Sequence, residues 1–457
     1  MNLYSLDAWF EKERKNIVED YFTFLRFSSI SADPSFKKEM NNCANWLLDY
    51  VKKIGMQVEL LPTPTVPVVY AQDLTAGKDK PTLLIYGHYD VQPTDPLEEW
   101  ENDPFDPKEK DGEIYARGAQ DNKGQLWYSL QAIRALYALL GKLPVNVRLC
   151  IEGEEEYSSS GLISILPQIK EKLKADGLLV PDVDIVHKDV PAITLGTRGI
   201  VAMEIELIGS STDLHSGLYG GIAFNPNRSL IQMLSQCWEE SGKVLIPHFY
   251  DDVLPLTEEE KKQFDFTLDP KYYEKQVGIS VFGGEKGYQP LEASWTRPTF
   301  EVNGIGGGYF GKGFKTIIPA KAIAKFSCRL VPNQDPKRIV SLIRDFLEKN
   351  LPNGIKMGFK EYGQGRAVRG SLTSTIAKSA SLAYQEVFGK PCKKILSGGS
   401  VPVIADILKE IQAEVVMMGM GLNSDNIHAP NEHFGLDRLK KGFLVMAKTV
   451  ENFGIGK

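Results

Sequence analysis

A His-x-Asp tripeptide, His88 to Asp90, ends the apolar run in PTLLIYGHYD. A neutral imidazole is the commonest protein ligand for a metal ion, and a nearby carboxylate can hold its second nitrogen in the required tautomer. Histidine is scarce in this chain, with 6 in 457 residues, so a histidine beside acidic residues is informative. Because many strands end in a histidine with no metal role, the tripeptide predicts a metal site only together with further ligands.

Three more sites carry suitable side chains: Asp121 in GAQDNKG, Glu154 to Glu156 in EGEEE, and His428 in SDNIHAPNE. Asp121 could instead cap a helix, the glutamates could form a solvated face, and His428 could be a loop residue. The glutamates directly follow the apolar run VRLCI, where a solvated face is least expected, and adjacent carboxylates repel one another without a cation. Histidine with carboxylate suits Zn²⁺, Mn²⁺ or Co²⁺, and a bridging carboxylate suits a pair of metals.

The predicted elements bring these residues to one edge of a sheet. Apolar spacing predicts helices over 7–27, near 36–54 and through the segment after Asp121, and the Pro- and Asp-rich stretch Gln92 to Lys110 reads as a loop. Apolar or alternating runs predict strands in MQVELLP, VPVVYAQ, PTLLIYGHYD and VNVRLCIEGEEE. Strands that alternate with helices predict an α/β domain with a mainly parallel sheet and helices on both faces. In such sheets functional groups collect at the carboxyl ends of strands.

The middle of the chain has a different character. Between residues 197 and 370, strands such as IVAMEIELIG and AIAKFSCRLV accompany helices such as DPKRIVSLIRDFLEK and glycine-rich loops. This composition predicts an α+β, ferredoxin-like insert, and the earlier helical style resumes after it. We therefore expect a discontinuous catalytic domain, residues 1–196 and 371–457, interrupted by an inserted domain over 197–370.

Composition narrows the classes of function. The 42% hydrophobic and 25% charged fractions are those of a globular protein, and a net charge of −6 gives no support for nucleic-acid binding. The first residues have neither the apolar core nor the cleavage site of a signal peptide, and no stretch reaches the about 20 apolar residues that span a bilayer. The five cysteines are far apart without a C-x-x-C pair, so they read as reduced thiols. We expect a cytoplasmic protein with no membrane or nucleic-acid partner.

Six motifs in this order resemble one enzyme family: GHYDVQP, ARGAQDNKG, EGEEEYSSSGL, DLHSGLYGG, SCRLVPN and HAPNE. The set is similar to the dizinc metallopeptidases that include carnosinases, cytosolic nonspecific dipeptidases, aminoacylases and desuccinylases. The resemblance spans nearly the whole chain. TLGTRG, DLHSGLYGG and the segment around SCRLVPN are most similar to the dipeptidase branch.

The resemblance implies a metal centre. Its ligands would be His88, Asp121 as the bridge, Glu156, Asp182 and His428, with Asp184 and Asp189 as alternatives to Asp182. Asp90 would align His88, and Glu155 would be the general base. The implied cofactors are two divalent metal ions per chain, Zn²⁺ first, with Mn²⁺ or Co²⁺ as alternatives.

The resemblance also implies a homodimer through the inserted lid and dimerisation domain. His215 would stabilise the oxyanion in the partner's active site, and Arg329, Gly399 and Ser400 would hold the substrate's terminal carboxylate. The implied reaction is hydrolysis of dipeptides or short peptides with a free C-terminus, by a water that bridges the two metals. Two departures from the dipeptidase branch leave the substrate open: Leu396 and Ser397 replace an Arg–Glu pair, and EYSSSGL replaces ESGSxGL.

Three other functions compete with this interpretation. An N-acyl amino-acid amidohydrolase, a deacylase or desuccinylase, would use the same metals. A catalytically dead relative that serves as a scaffold is disfavoured by the intact set of candidate ligands. A nucleotide-binding protein is disfavoured because no G-x-G-x-x-G follows the predicted strands.

Overall fold

The computed structural model describes residues 2–280 and 283–456, apart from the side chains of Tyr272 and Gln276. The chain divides into two compact units. The first unit comprises Met1–Gly196, Arg369–Ile395 and Asp406–Lys457, and the second comprises Thr197–Val368 and Leu396–Ala405. The second unit therefore also takes a short segment that lies beyond residue 370 in the sequence.

The helices, in chain order, are α1 Leu3–Leu25, α2 Lys37–Ile54, α3 Lys123–Leu140, α4 Ser160–Leu173, α5 Ser216–Tyr219, α6 Pro226–Ser235, α7 Glu258–Gln263, α8 Pro270–Val277, α9 Pro290–Thr296, α10 Pro336–Lys349, α11 Thr375–Phe388, α12 Pro402–Ile411 and α13 Leu436–Gly454. The strands are β1 Gln57–Leu61, β2 Val68–Asp73, β3 Thr82–His88, β4 Lys108–Lys110, β5 Glu113–Tyr115, β6 Asn146–Glu152, β7 Gly177–Val180, β8 Ala192–Thr197, β9 Gly199–Ile208, β10 Leu214–His215, β11 Thr299–Gly306, β12 Ile317–Ile318, β13 Lys321–Leu330, β14 Lys356–Gly365, β15 Val368–Arg369, β16 Lys393–Ser397, β17 Glu414–Met418 and β18 His433–Gly435.

The main sheet of the first unit has the strand order β1-β2-β6-β3-β7-β17-β8. Its four central strands, β6, β3, β7 and β17, are parallel, and the pairs toward both ends of the sheet are antiparallel. The sheet is therefore mixed, with the predicted parallel character at its centre. The central strands are apolar along their length because the sheet is buried on both sides there, as strands of parallel sheets are.

Helices pack on this sheet, and two of them end at a glycine. α2 packs against β1 and β2, whereas α3 packs against β3 and also against α1 and α13. α2 and α3 both end at glycines with positive φ, Gly55 and Gly141, a conformation that glycine adopts without steric cost. These contacts confirm the α/β class expected from the alternation of strand and helix patterns.

The second unit is built on an antiparallel sheet with the order β11-β13-β9-β14. β9 and β13 alternate buried and more exposed side chains, so one sheet face packs into a core and the other does not. Helices α6 and α10 pack on these strands and close the core. This is an α+β arrangement.

Across residues 2–280 and 283–456, no helix has the length and apolar character needed to cross a bilayer. The five cysteines are all free thiols, and four of them are buried.

Candidate metal centre

The candidate ligands of the first unit follow the ends of its central strands. His88 is the last residue of β3, the Glu154–Glu156 turn follows β6, and Asp182 follows β7. β6 and β7 flank β3 in parallel, so all three chain segments leave the sheet at the same edge. Asp121 lies just before α3, and His428 lies in the segment between β17 and β18.

One group of possible ligands surrounds His88. Its Nε2 atom lies 3.3 Å from Oδ1 of Asp121 and 3.7 Å from Oδ2 of Asp182. The imidazole of His88 is fully buried, and its Nε2 has no hydrogen-bond partner among the described residues. The three side chains offer ligand atoms that all lie within 4.8 Å of one another.

A second group shares one residue with the first. Nε2 of His428 lies 2.9 Å from Oδ2 of Asp121 and 3.4 Å from Oε2 of Glu156. The ligand atoms of these three residues also lie within 4.8 Å of one another. Asp121 therefore turns one carboxylate oxygen to each histidine. A carboxylate with one oxygen in each of two ligand groups has the geometry of a bridge between two cations.

The donor chemistry suits divalent metal ions. Burial raises the pKa of Asp182 to about 7, and the carboxylates of Asp121 and Glu156 raise the pKa of the neighbouring His428 to about 10. Both pKa shifts arise because several acidic groups lie close together in a site that is largely shielded from solvent. A buried imidazole nitrogen without a partner and three convergent carboxylates fit Zn²⁺, Mn²⁺ or Co²⁺.

The structure separates Asp182 from its two competitors. Asp184 accepts a 3.5 Å hydrogen bond from Nε2 of Gln120, and Asp189 is exposed with its carboxylate 4.0 Å from Nζ of Lys441. Among the described residues, only Asp182 of the three joins a candidate ligand group.

Glu155 and Asp90 lie beside these groups. Burial raises the pKa of Glu155 well above its usual range; the charge of His88 opposes this shift, and neighbouring acids including Asp182 add to it. Asp90 is fully buried, with Oδ1 3.2 Å from Nδ1 of His88. Its two oxygens also accept the backbone N–H groups of Glu155, at 3.2 Å, and Glu156, at 3.1 Å. One carboxylate thus contacts both the histidine and the turn that carries the two glutamates.

The other candidate residues lie in the second unit. His215 is exposed at the end of β10, and its Nδ1 accepts the N–H of Gly217 at 3.0 Å. Arg329 donates from Nη1 to Oγ of Ser400 at 2.8 Å, and Gly399 lies in the same loop as Ser400. Arg329, Gly399 and Ser400 are thus brought together.

Three contacting residues were not predicted, although each lies in a motif of the sequence. Asn122, next to Asp121, donates to Oδ1 of Asp182 at 2.7 Å. Gln92, in GHYDVQP, donates to Oε2 of Glu156 at 2.8 Å. Arg198, in TLGTRG, is 8% exposed and donates from Nε to the carbonyl of Gly398 at 3.0 Å. It forms no ion pair with a carboxylate in the described part of the chain, although the charge of Glu301 acts on it. The position of each residue within a motif could have drawn attention to it in the sequence. A motif does not show, however, which side chain or carbonyl the residue contacts in the folded chain.

Several known proteins of similar sequence and structure are peptidases. The model of peptidase family M20/M25/M40 matches residues 84–452. The Cys-Gly metallodipeptidase of Schizosaccharomyces pombe is 31% identical, over 96% of this chain and 96% of its own. The human Beta-Ala-His dipeptidase is 31% identical, over 88% of this chain and 83% of its own. A crystal structure of an M20 family metallo-carboxypeptidase from Sulfolobus solfataricus has a TM-score of 0.85 at 36% identity and covers 96% of this chain and 99% of its own.

Proposed function

Because the chain belongs to peptidase family M20/M25/M40, we propose that it hydrolyses dipeptides or short peptides with a free C-terminus in a metal-dependent reaction. The observation that carries the proposal is the pair of ligand groups that share Asp121. The names of similar proteins, a Cys-Gly metallodipeptidase and a Beta-Ala-His dipeptidase, support the dipeptide as substrate.

In this proposal His88, Asp121 and Asp182 hold one divalent ion, and Asp121, Glu156 and His428 hold the other. Nε2 of buried His88 has no hydrogen-bond partner among residues 2–280 and 283–456, which supports a ligand role because a buried polar atom without a partner is costly. Bound Zn²⁺, with Mn²⁺ or Co²⁺ as alternatives, would polarise the scissile carbonyl and make water acidic enough to react near neutral pH.

Glu155 is proposed as the general base. It accepts the proton of the attacking water and returns it to the leaving amine. Its carboxylate makes no hydrogen bond to any described residue, so its oxygens are available for this transfer. The raised pKa of Glu155, due first to burial, makes it a stronger base than a solvated glutamate.

Asp90 is proposed to orient the site rather than to transfer protons. Its contact with Nδ1 of His88 directs the Nε2 atom of that ring toward Asp121 and Asp182. Its contacts with the N–H groups of Glu155 and Glu156 stabilise the turn that presents base and ligand together.

The substrate's C-terminal carboxylate is proposed to bind at Arg329, Gly399 and Ser400. Arg198 extends this site, since its Nε and its backbone N–H bind the carbonyls of Gly398 and Gly399. Neither guanidinium forms an ion pair with a described carboxylate. Burial lowers the pKa of Arg198 and the charge of Arg329 lowers it further, although the carboxylate of Glu301 acts in the opposite direction. Two neighbouring guanidinium groups with one opposing carboxylate favour an anionic ligand. This pair would select a free carboxylate over an amide.

We further propose that the protein is a homodimer through the second unit and that His215 acts in the partner's active site. Because Nδ1 of His215 accepts the N–H of Gly217, the neutral ring carries its proton on Nε2 and can donate to an oxyanion. Large apolar side chains are exposed on this unit, including Leu218, Ile222, Ile231, Val302 and Ile305. β11, which carries the last two, lies at the edge of its sheet, a position open to pairing.

The free thiols of all five cysteines support a reducing, cytoplasmic location.

The test is a substrate panel with added Zn²⁺ or Mn²⁺. Dipeptides should be cleaved, while C-terminally amidated dipeptides and N-acetyl or N-succinyl amino acids should react far more slowly. Preference for the N-acyl compounds would instead identify an N-acyl amino-acid amidohydrolase. Glu155→Gln should lower kcat by roughly 100-fold or more, and an unchanged rate would remove the proposed base.

A further inference from the structure

A buried glutamate in the HAPNE motif has no part in the function proposed above. Glu432 lies four residues after His428, and none of its surface is exposed. It belongs to neither candidate ligand group. A buried carboxylate is costly unless donors surround it, so its partners indicate why it is there.

Four donors converge on the two oxygens of Glu432. Oε2 accepts Nη1 of Arg117 at 2.8 Å and the backbone N–H of Gly118 at 2.9 Å. Oε1 accepts the backbone N–H of Gln120 at 2.9 Å and that of Asp121 at 3.0 Å. Every partner is a donor, so the site accommodates an ionised carboxylate and no group that itself donates.

These bonds join two chain segments that are distant in sequence. Glu432 holds the backbone of the 118–121 loop, including the N–H of Asp121, and belongs to the same loop as His428. Nε2 of His428 contacts Asp121 at 2.9 Å. Any shift of Glu432 therefore changes the position of the shared carboxylate relative to a histidine of the second ligand group.

We propose that Glu432 is a positioning residue that holds Asp121 and His428 in the relative geometry required by both metal ions. The inference rests on the dinuclear centre proposed above. Glu432 acts through the loop backbone, and the Arg117 guanidinium partly balances its charge. Residues that orient metal ligands without binding the metal affect affinity and rate, which makes the role measurable.

The key variant is Glu432→Gln. It retains the size of the side chain, but its amide NH₂ must face two of the four donors whichever way it is oriented. A matched control is Asp425→Asn, another buried carboxylate paired with an arginine, Arg438, in the first unit. Among the described residues, Asp425 forms no hydrogen bond or ion pair with the 118–121 loop; its partners are Leu422 and Arg438.

We expect Glu432→Gln to weaken Zn²⁺ binding and lower kcat by roughly 10- to 100-fold, with a smaller change in KM. The absorption spectrum of the Co²⁺-loaded protein should also change, because the geometry of the ligands changes. Asp425→Asn should lower the melting temperature but leave the Co²⁺ spectrum and the Zn²⁺ dissociation constants at wild-type values. If Glu432→Gln yields no folded protein, Glu432→Asp serves as the test variant instead. Its side chain is one methylene shorter, so the carboxylate is drawn away from its donors, and we expect the same changes in Zn²⁺ binding, kcat and Co²⁺ spectrum.

A lower melting temperature in Glu432→Gln with wild-type Zn²⁺ affinity and Co²⁺ spectrum would overturn the inference, because the residue would then only stabilise the fold. Failure of the proposed function is distinguishable, since it would be seen in the wild type: no dipeptide hydrolysis, or fewer than two metals bound per chain.

Discussion

At the scale of single residues, the candidate metal centre depends on two carboxylates, Asp121 and Asp90, that each contact more than one other residue of the site. Asp121 directs one oxygen to each histidine, and Asp90 contacts His88 and the backbone of Glu155 and Glu156 at once. The types and order of these residues could be predicted from the sequence. Which oxygen meets which nitrogen could not, because it depends on the relative placement of loops such as those of Asp121 and His428.

Replacing either Asp182 or Asp184 distinguishes the candidate ligand from its neighbour. Asp182→Asn should lower the bound metal from two ions per chain toward one, because Asp182 belongs to the group around His88. Asp184→Asn should retain both ions, since its carboxylate contacts Gln120 instead. Metal analysis of the dialysed proteins checks this, and the reverse pattern would identify Asp184 as the ligand.

The raised pKa of Asp184 predicts that the stability of the fold depends on pH. Burial, together with the charges of Asp425 and Asp121, raises its pKa to about 7. Because the folded-state pKa of this acid is raised, folding favours its protonated form, and the wild type loses stability as pH rises from about 4 to 7. Asp184→Asn removes that loss and should be more stable than wild type at pH 8, by up to roughly 4 kcal/mol.

Urea unfolding at pH 5 and pH 8 measures this difference. The advantage of Asp184→Asn should grow with pH, and an advantage that shrinks would show that Asp184 is stabilised as the anion.

At the scale of elements, the centre is held by the close packing of β3 and β6 where they leave the sheet. Gly153, just after β6, has no room for a side chain, because a Cβ there would lie 2.3 Å from the ring of buried Tyr89. The strands and α3 could be predicted from apolar runs and helical spacing. The antiparallel flanks of the sheet could not, since pairing depends on contacts between distant segments.

Gly153→Ala should therefore disturb the turn that carries Glu155 and Glu156. We expect a loss of about 1–3 kcal/mol in the free energy of unfolding from overpacking, together with weaker Zn²⁺ binding. The control is Gly363→Ala, where nothing lies within 4 Å of the added methyl. Denaturant unfolding and metal titration of both variants test this, and equal behaviour of the two would refute the packing argument.

At the scale of the whole molecule, the chain combines an α/β unit carrying the candidate ligands with an α+β unit carrying His215 and Arg329. The change from alternating strands and helices to an antiparallel pattern is visible in the sequence, since each sheet type imposes its own apolar periodicity. The apolar periodicity of the sequence does not show that Leu396–Ala405 belongs to the second unit, because that membership depends on tertiary contacts.

The dimer proposal concerns this scale. Val302→Lys combined with Ile305→Lys places two charges on the exposed edge strand β11, where they should block association. Sedimentation velocity should then show a monomer with much lower activity, because His215 could no longer reach a partner. Tyr4→Lys, at an apolar side chain that is 80% exposed in the first unit, should remain dimeric and active. A fully active monomer would contradict both the dimer role and His215 in trans.

The most direct test of the account is calorimetric titration of the metal-free protein with Zn²⁺, followed by a dipeptidase assay on the same samples. The account predicts two equivalents per chain for the wild type, one for His428→Ala, and fewer than one for Asp121→Ala, with activity only when two are bound. A wild type that hydrolyses dipeptides at full rate with a single equivalent, or an Asp121→Ala variant that binds two, would contradict it.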